Sequence, residues 1–152
     1  MRALYTYYAS LGSTAVGTLT NYTLGGPTQH TAGSGVYMNP PVVSVTLAAG
    51  SYNVTAMVLL IYNNSGNPVI TNMKVAISTS SSSNDSYYGY TSLPVSFTVT
   101  PSTPYFFPYQ VSRQLKFTSS TTIYLLTAPT WTGNANAIQY DATCALQVMR
   151  IA

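Results

Sequence analysis

Residues 43–62 read VSVTLAAGSYNVTAMVLLIY. Apolar and polar residues alternate from Val43 to Leu47 and again from Tyr52 to Ala56, with Ala-Ala-Gly-Ser between the two segments. This alternation is typical of a strand with one buried face, and the Gly-Ser step is typical of a turn. The apolar run Met57 to Ile61 predicts that the second strand is central and covered on both faces.

The same alternation recurs along the chain, and spacings typical of helices are nearly absent. Met73, Val75 and Ile77 alternate with more polar residues, while the serine-rich residues 78–90 predict an exposed loop. Further strands are predicted at residues 93–100, 111–118, 123–128 and 143–151, near Tyr37, and once in the N-terminal third. Segments spaced by ten to fifteen residues, with Gly, Pro and Asn between them, predict an all-β fold, an antiparallel β-sandwich of the jelly-roll type with about eight strands.

The length of 152 residues fits one domain. Residues 1–35 alternate weakly, so we interpret them as an extended N-terminal arm that includes one strand. Residues 36–152 are predicted to form the jelly-roll sandwich.

Charged residues make up only 5% of the chain, with five bases and two acids, against about 25% in an ordinary soluble domain. Serine and threonine together number 40 and tyrosine 14, while the hydrophobic share is 46%. The composition therefore allows a normal core, but it predicts a surface of hydroxyl, amide and phenol groups in place of charges.

The scarcity of charge argues against two classes of partner. Arg113 and Lys116 are the only close basic pair, and their odd spacing places them on opposite faces of a strand, whereas nucleic-acid binding needs a basic face. The longest apolar run, residues 56–62, is far shorter than the roughly 20 residues of a spanning helix, and the first twenty residues contain no apolar targeting segment. We expect neither nucleic-acid binding nor membrane insertion.

Few residues could support catalysis or bind a metal. His30 could act as a base, but no G-x-S-x-G turn presents a nucleophile, and we interpret it as a solvated loop histidine. Asp85 and Asp141 are the only carboxylates for a glycosidase pair, and His30 with Cys144 falls short of a zinc site. The single Cys144 excludes an internal disulfide and reads as a small buried residue in a strand. We expect no enzyme activity, no catalytic residue, no cofactor and no metal site.

Clusters of aromatic residues are the strongest candidates for contacts, because rigid rings with a polar tip are enriched at protein interfaces. One of these clusters, at residues 105–109, could equally belong to the core. The candidates for a capsid or subunit interface are Tyr5, Tyr7 and Tyr8 in the arm, and Tyr105, Phe106, Phe107 and Tyr109. A loop that could bind a ligand carries Tyr87, Tyr88 and Tyr90.

The lack of charge also bears on assembly. Monomeric sheet proteins protect their edges with lysine, glutamate, proline or bulges. This chain has two lysines and no glutamate, so we expect neighbouring subunits to cover its sheet edges and faces.

Three segments, in order, resemble the jelly-roll domains of phage fibre tips and virion decoration proteins. Residues 43–54 (VSVTLAAGSYNV) are similar to a signature of a β-branched strand, leucine, small residues, glycine, a hydroxyl residue and an aromatic residue. Residues 119–126 (SSTTIYLL) and 146–152 (LQVMRIA) resemble the hydroxyl-rich turn with its following strand, and the final strand with its late arginine. Such domains are broadly similar to the trimeric tumour-necrosis-factor-like and C1q-like sandwiches.

The resemblance implies a viral structural protein. Because residues 1–41 are too short for a fibre shaft, a decoration (cement) protein on the exterior of a phage-like capsid is the first expectation. Its implied partners are the major capsid protein and further copies of itself, as a homotrimer, with a dimer as the alternative. The alternative function is a receptor- or glycan-binding fibre tip, for which a host surface glycan would be the ligand. No catalytic residue follows from the resemblance.

Overall fold

The computed structural model describes residues 16–26, 28–30, 33–37, 42–62, 69–83, 90–98, 107–133, 138–140 and 143–152. These residues form ten strands and no helix. The strands are β1 (Leu19–Thr23), β2 (Thr28–Gln29), β3 (Val43–Leu47), β4 (Gly50–Tyr62), β5 (Val69–Ser78), β6 (Tyr90–Thr98), β7 (Phe107–Phe117), β8 (Thr121–Thr132), β9 (Ile138–Tyr140) and β10 (Ala145–Arg150).

The strands form two sheets, and every strand pair is antiparallel. One sheet has the order β1-β10-β4-β9-β2, with β7 on the other edge of β4, and the second has the order β3-β8-β5-β6. Without the short strands β2 and β9, the fold is two layers of four strands, β1-β10-β4-β7 and β3-β8-β5-β6. Each layer combines strands from both halves of the chain, which confirms the predicted antiparallel sandwich of the jelly-roll type.

The core lies between the two sheets and is built by the predicted alternation. In β3, Val43, Val45 and Leu47 are buried while Ser44 and Thr46 are exposed. Leucine, isoleucine, valine and aromatic side chains from both sheets form one buried cluster. Removing such side chains from water supplies the main driving force for folding, about 25 cal/mol per Å² of apolar surface.

Strand β4 is central, as predicted, because it pairs with β7 on one edge and with β10 and β9 on the other. Its core-facing residues Val54, Ala56 and Val58 are buried. The prediction that both faces are covered is wrong for the isolated chain, because Met57 on the opposite face is 38% exposed and Leu59 is only half-buried.

The N-terminal part of the chain differs from the sequence-based prediction in its details. The described residues before and at Tyr37 contain no strand: residues 33–37 form a turn whose Gly35 amide donates to the Pro129 carbonyl oxygen at 2.8 Å, and residues 38–41 lie outside the described part of the chain. Two strands, β1 and β2, lie within the described part of residues 1–35, where one was predicted, and both belong to the six-stranded sheet.

Gly50 makes room for the chain segment that follows β10. It has a φ of 156°, and a Cβ at this position would lie 2.9 Å from the carbonyl oxygen of Ala152 and 3.0 Å from Nε of Arg150. The same segment is hydrogen-bonded to Ser51, whose amide donates to the Ala152 carbonyl oxygen at 2.7 Å. The lack of a side chain at Gly50 therefore allows residues 150–152 to pack against the start of β4.

Replacing this glycine should lower stability. We expect Gly50→Ala to lower the free energy of unfolding by about 1–3 kcal/mol, because it adds a steric clash to an unfavourable backbone conformation. Urea unfolding of Gly50→Ala and of Gly26→Ala measures the difference, since a Cβ at Gly26 meets nothing within 4 Å. Equal losses in the two variants would contradict this role of Gly50.

Candidate interaction surface

The outer face of the six-stranded sheet is a broad surface whose side chains follow from the strand register. The register of β1, β10, β4 and β7 places side chains in three rows across these four strands, because directly paired residues point to the same side of a sheet. The rows are Leu19–Met149–Asn53–Gln114, Asn21–Gln147–Thr55–Ser112 and Thr23–Ala145–Met57–Gln110. We call these twelve residues the outer face.

None of the twelve side chains of the outer face carries a charge. Five are amides, three are hydroxyls and four are apolar, and all except Ala145 are exposed or half-buried. Leu19 is 56% exposed and Met57 is 38% exposed. Charge is depleted and methionine is enriched at the cores of protein interfaces, so this composition is that of an interface more than of a free surface.

Two shallow depressions give the outer face relief. The first, of about 460 Å³, extends across all four strands and includes Leu19, Thr55, Arg113 and Gln147 in its lining. The second, of about 230 Å³, is more apolar and lies where β4 and β7 approach Thr143. Its lining residues are Met57, Val58, Leu59, Tyr109, Gln110 and Thr143. Such depressions can receive side chains of a partner.

The size of the outer face can be set against that of known interfaces. With strands about 4.8 Å apart and a rise of about 3.4 Å per residue, five residues on each of four strands span roughly 330 Å² of flat sheet. Side-chain relief makes the accessible area larger, and standard interfaces bury about 800 Å² per partner. The outer face therefore supplies a substantial part of one side of a standard interface.

Basic residues lie at the margin of the outer face, on the edge strand β7. Arg113 occupies a position in the core-facing series Tyr109, Val111, Leu115, yet it is exposed, and Lys116 is exposed on the opposite face of the strand. This placement agrees with the expected opposite orientation of the pair. Inward-pointing and edge charges discourage edge-to-edge pairing of sheets. Arg113 and Lys116 therefore protect the edge strand β7 against pairing with another strand, while the twelve side chains of the outer face remain uncharged.

His30 is buried rather than solvated, which corrects the interpretation made from the sequence. Only 4% of the residue is exposed, and its Nδ1 lies 2.6 Å from the phenol oxygen of Tyr140, which also accepts a hydrogen bond from the Thr127 hydroxyl at 2.6 Å. Trp131 contacts the imidazole edge-on, with 5.4 Å between ring centroids. Burial lowers the pKa of His30, and an interaction with the Gly33 backbone offsets part of that effect.

The aromatic candidates are only partly accounted for by the described part of the chain. Tyr109 is buried in the core cluster, and burial raises the pKa of its phenol. Tyr90 begins β6 and Phe107 begins β7. The other candidates lie outside the described residues: Tyr5, Tyr7, Tyr8, Tyr87, Tyr88, Tyr105 and Phe106. Their roles remain predictions.

The described residues supply little for chemistry. Asp85 and Asp141 lie outside them, and within them no three His, Cys, Asp or Glu side chains come together as a metal site. Cys144 is buried, as predicted, but it directly precedes β10 rather than lying in a strand, and its Sγ accepts a hydrogen bond from the Leu59 amide at 3.3 Å. No helix long and apolar enough to cross a membrane occurs in this part of the chain.

Comparison with known proteins yields similarity of fold only. No protein-family model matches the chain, and no curated protein matches it. Among solved structures, it is similar to a chain of the T13 particle of infectious bursal disease virus, with 13% identity and a TM-score of 0.48 over 87% of this chain and 31% of that chain. It is also similar to VP2 in a subviral particle of the same virus, with 12% identity and a TM-score of 0.49 over 88% and 33%. This chain spans about a third of the length of the chains that it matches.

Proposed function

We propose that this chain is a structural subunit of a virion, a jelly-roll decoration protein that binds the exterior of a phage-like capsid and stabilises it. The support is the sandwich fold, a surface poor in charge and the resemblance of residues 43–54, 119–126 and 146–152 to such domains. A protein that binds only the assembled shell shifts the assembly equilibrium toward that shell.

The uncharged outer face is the observation on which the proposal rests. A second copy of this chain is its occupant in our proposal, because the twelve side chains of one outer face meet those of another without like-charge repulsion, while Arg113 and Lys116 lie at the β7 margin. Desolvating amides and hydroxyls that pair across an interface also costs far less than desolvating ions. The coverage of β4 on both sides, predicted from its sequence and missing in the isolated chain, would then be completed by a neighbouring copy.

The remaining surfaces are available for the capsid in this proposal. Copies of the chain form a homotrimer through the outer face, with a dimer as the alternative. The arm within residues 1–35, with Tyr5, Tyr7 and Tyr8, contacts the major capsid protein.

Co-sedimentation with capsid shells that lack the chain tests the proposed function. We expect saturable binding to the shells and a higher temperature of shell disruption when the protein is bound. Saturable binding to host envelope glycans without binding to shells would contradict the decoration role, and it would support the fibre-tip alternative instead.

A further inference from the structure

The buried histidine links the two sheets at one end of the sandwich. His30 directly follows β2, Tyr140 ends β9 in the same sheet, and Thr127 lies in β8 of the opposite sheet. The hydrogen bonds Thr127–Tyr140 and Tyr140–His30 are both 2.6 Å long. These side-chain hydrogen bonds therefore connect the residue after β2 with both layers, in addition to the backbone pairing of β2 with β9.

A neutral imidazole satisfies the hydrogen bonds around His30. With the Thr127 hydroxyl donating to the Tyr140 oxygen, the phenol can donate its hydrogen to an unprotonated Nδ1 of His30. In this tautomer the ring proton is on Nε2, which is buried and makes no hydrogen bond of standard geometry with the described residues.

A second contact fastens the segment that follows His30. The Ser34 hydroxyl donates to the carbonyl oxygen of Trp131 at 2.9 Å and accepts a hydrogen bond from the Trp131 amide at 2.8 Å. The Trp131 ring packs edge-on against the His30 imidazole. By contrast, β2 itself has only two residue pairs with β9, so side chains supply much of what holds residues 28–30 and 33–36.

We propose that His30 is an acid-sensitive clasp, in which uptake of one proton by the imidazole releases residues 28–30 and 33–36 from β8 and β9 while the rest of both sheets stays folded. The inference is independent of the proposed virion role.

The physical reason is the burial of a charge without a counter-charge. On protonation Nδ1 becomes a donor, the Tyr140 phenol must accept from it, and the hydroxyl order Thr127 to Tyr140 to His30 is lost. Among the described residues, the groups that face the ring are the Tyr140 phenol from β9, Thr127 and Trp131 from β8, and the Gly33 backbone, none of which is a carboxylate. Asp141, the neighbour of Tyr140 in sequence, lies outside the described residues and is included in the test.

The sign of the effect follows from burial. The folded state favours the neutral form of His30, so the pKa of His30 in the folded protein lies below its ordinary value of 6.5. The unfolded or released state therefore binds the proton first as pH falls. The clasp is complete above about pH 6.5. Below that pH the equilibrium constant between the closed and the released form falls by up to tenfold for each pH unit, until the pKa of the folded state is reached.

The chain has a single histidine, so one ring resonance in an NMR titration reports on the clasp directly. We expect it to titrate below pH 6.5, and we expect hydrogen exchange of amides 28–36, corrected for the intrinsic effect of pH, to rise about tenfold between pH 7 and pH 5. The amides of β4 and β8 should stay protected. Titration at or above pH 6.5, or an unchanged exchange rate in residues 28–36, would overturn the proposal.

Three variants assign the response to the proposed group. His30→Asn keeps an acceptor near the position of Nδ1 but does not ionise, so it should lose the pH dependence of exchange, whatever its basal exchange rate. Tyr140→Phe removes the hydrogen bond that favours the neutral ring and should raise the midpoint. Asp141→Asn should leave the response in place. Persistence of the response in His30→Asn, an unmoved midpoint in Tyr140→Phe, or loss of the response in Asp141→Asn would contradict the proposal.

Discussion

Thr55→Lys is expected to convert the assembled protein into monomers of 16.3 kDa. Thr55 lies in the middle row of the outer face, between Gln147 and Ser112. An ammonium group placed there in every copy would be buried without a partner, which costs about 3–5 kcal/mol. The association constant should fall roughly 100- to 1000-fold or more, and sedimentation equilibrium of wild type and variant measures the change.

Thr46→Lys is the matched control for this experiment. The Thr55 hydroxyl bonds that of Ser112 across β4 and β7 at 2.9 Å, and the Thr46 hydroxyl bonds that of Thr122 across β3 and β8 at 2.8 Å. Each substitution therefore removes one cross-strand hydroxyl bond and adds one positive charge, but on opposite sheets. Self-association that is lost equally in both variants, or kept in Thr55→Lys, would contradict the assignment of the outer face.

Leu125→Ala is expected to give the largest loss of stability among the predictions made here. Leu125 is fully buried on β8, in the core between the sheets. Truncation of a buried leucine removes apolar contacts and leaves a cavity, at a cost of about 2–5 kcal/mol. For a chain of this length the melting temperature should fall by roughly 5–15 °C, as measured by circular dichroism of dissociated protein.

Leu19→Ala makes the same chemical change on the outer face, where Leu19 is 56% exposed. We expect its melting temperature, measured below the concentration for association, to stay within about 1–2 °C of wild type, while self-association weakens. Comparison of Leu125→Ala with Leu19→Ala therefore separates effects on the stability of the fold from effects on self-association. A large loss of monomer stability in Leu19→Ala would show that this side chain serves the fold rather than the interface.

Much of the sandwich could be predicted because alternation is a local property of a strand. The pattern Val43, Val45, Leu47 predicted β3, and its bounds agree with the structure. The apolar run after Ala56 predicted the central position of β4. By contrast, the short strand expected near Tyr37 is not found in residues 33–37, which form a turn bonded to β8 through the Gly35 amide and the Pro129 carbonyl oxygen.

The outer face and the histidine cluster could not be predicted, because both depend on contacts between distant parts of the chain. The row Leu19–Met149–Asn53–Gln114 exists only once the register of four strands is known. His30 and Tyr140 are 110 residues apart, and nothing beside His30 in the sequence marks it as buried. The sequence signal for the outer face was indirect. The apolar run in β4 contains side chains, such as Met57, that the isolated chain does not bury.

Cryo-electron microscopy of the native particle that carries this chain tests the central claim most directly. We predict density for the sandwich on the exterior of the shell, with the outer face of Leu19, Thr55, Met57, Gln147 and Met149 buried between copies of the chain. An outer face open to solvent in the assembled particle, or no density for the chain on the shell, would contradict the account.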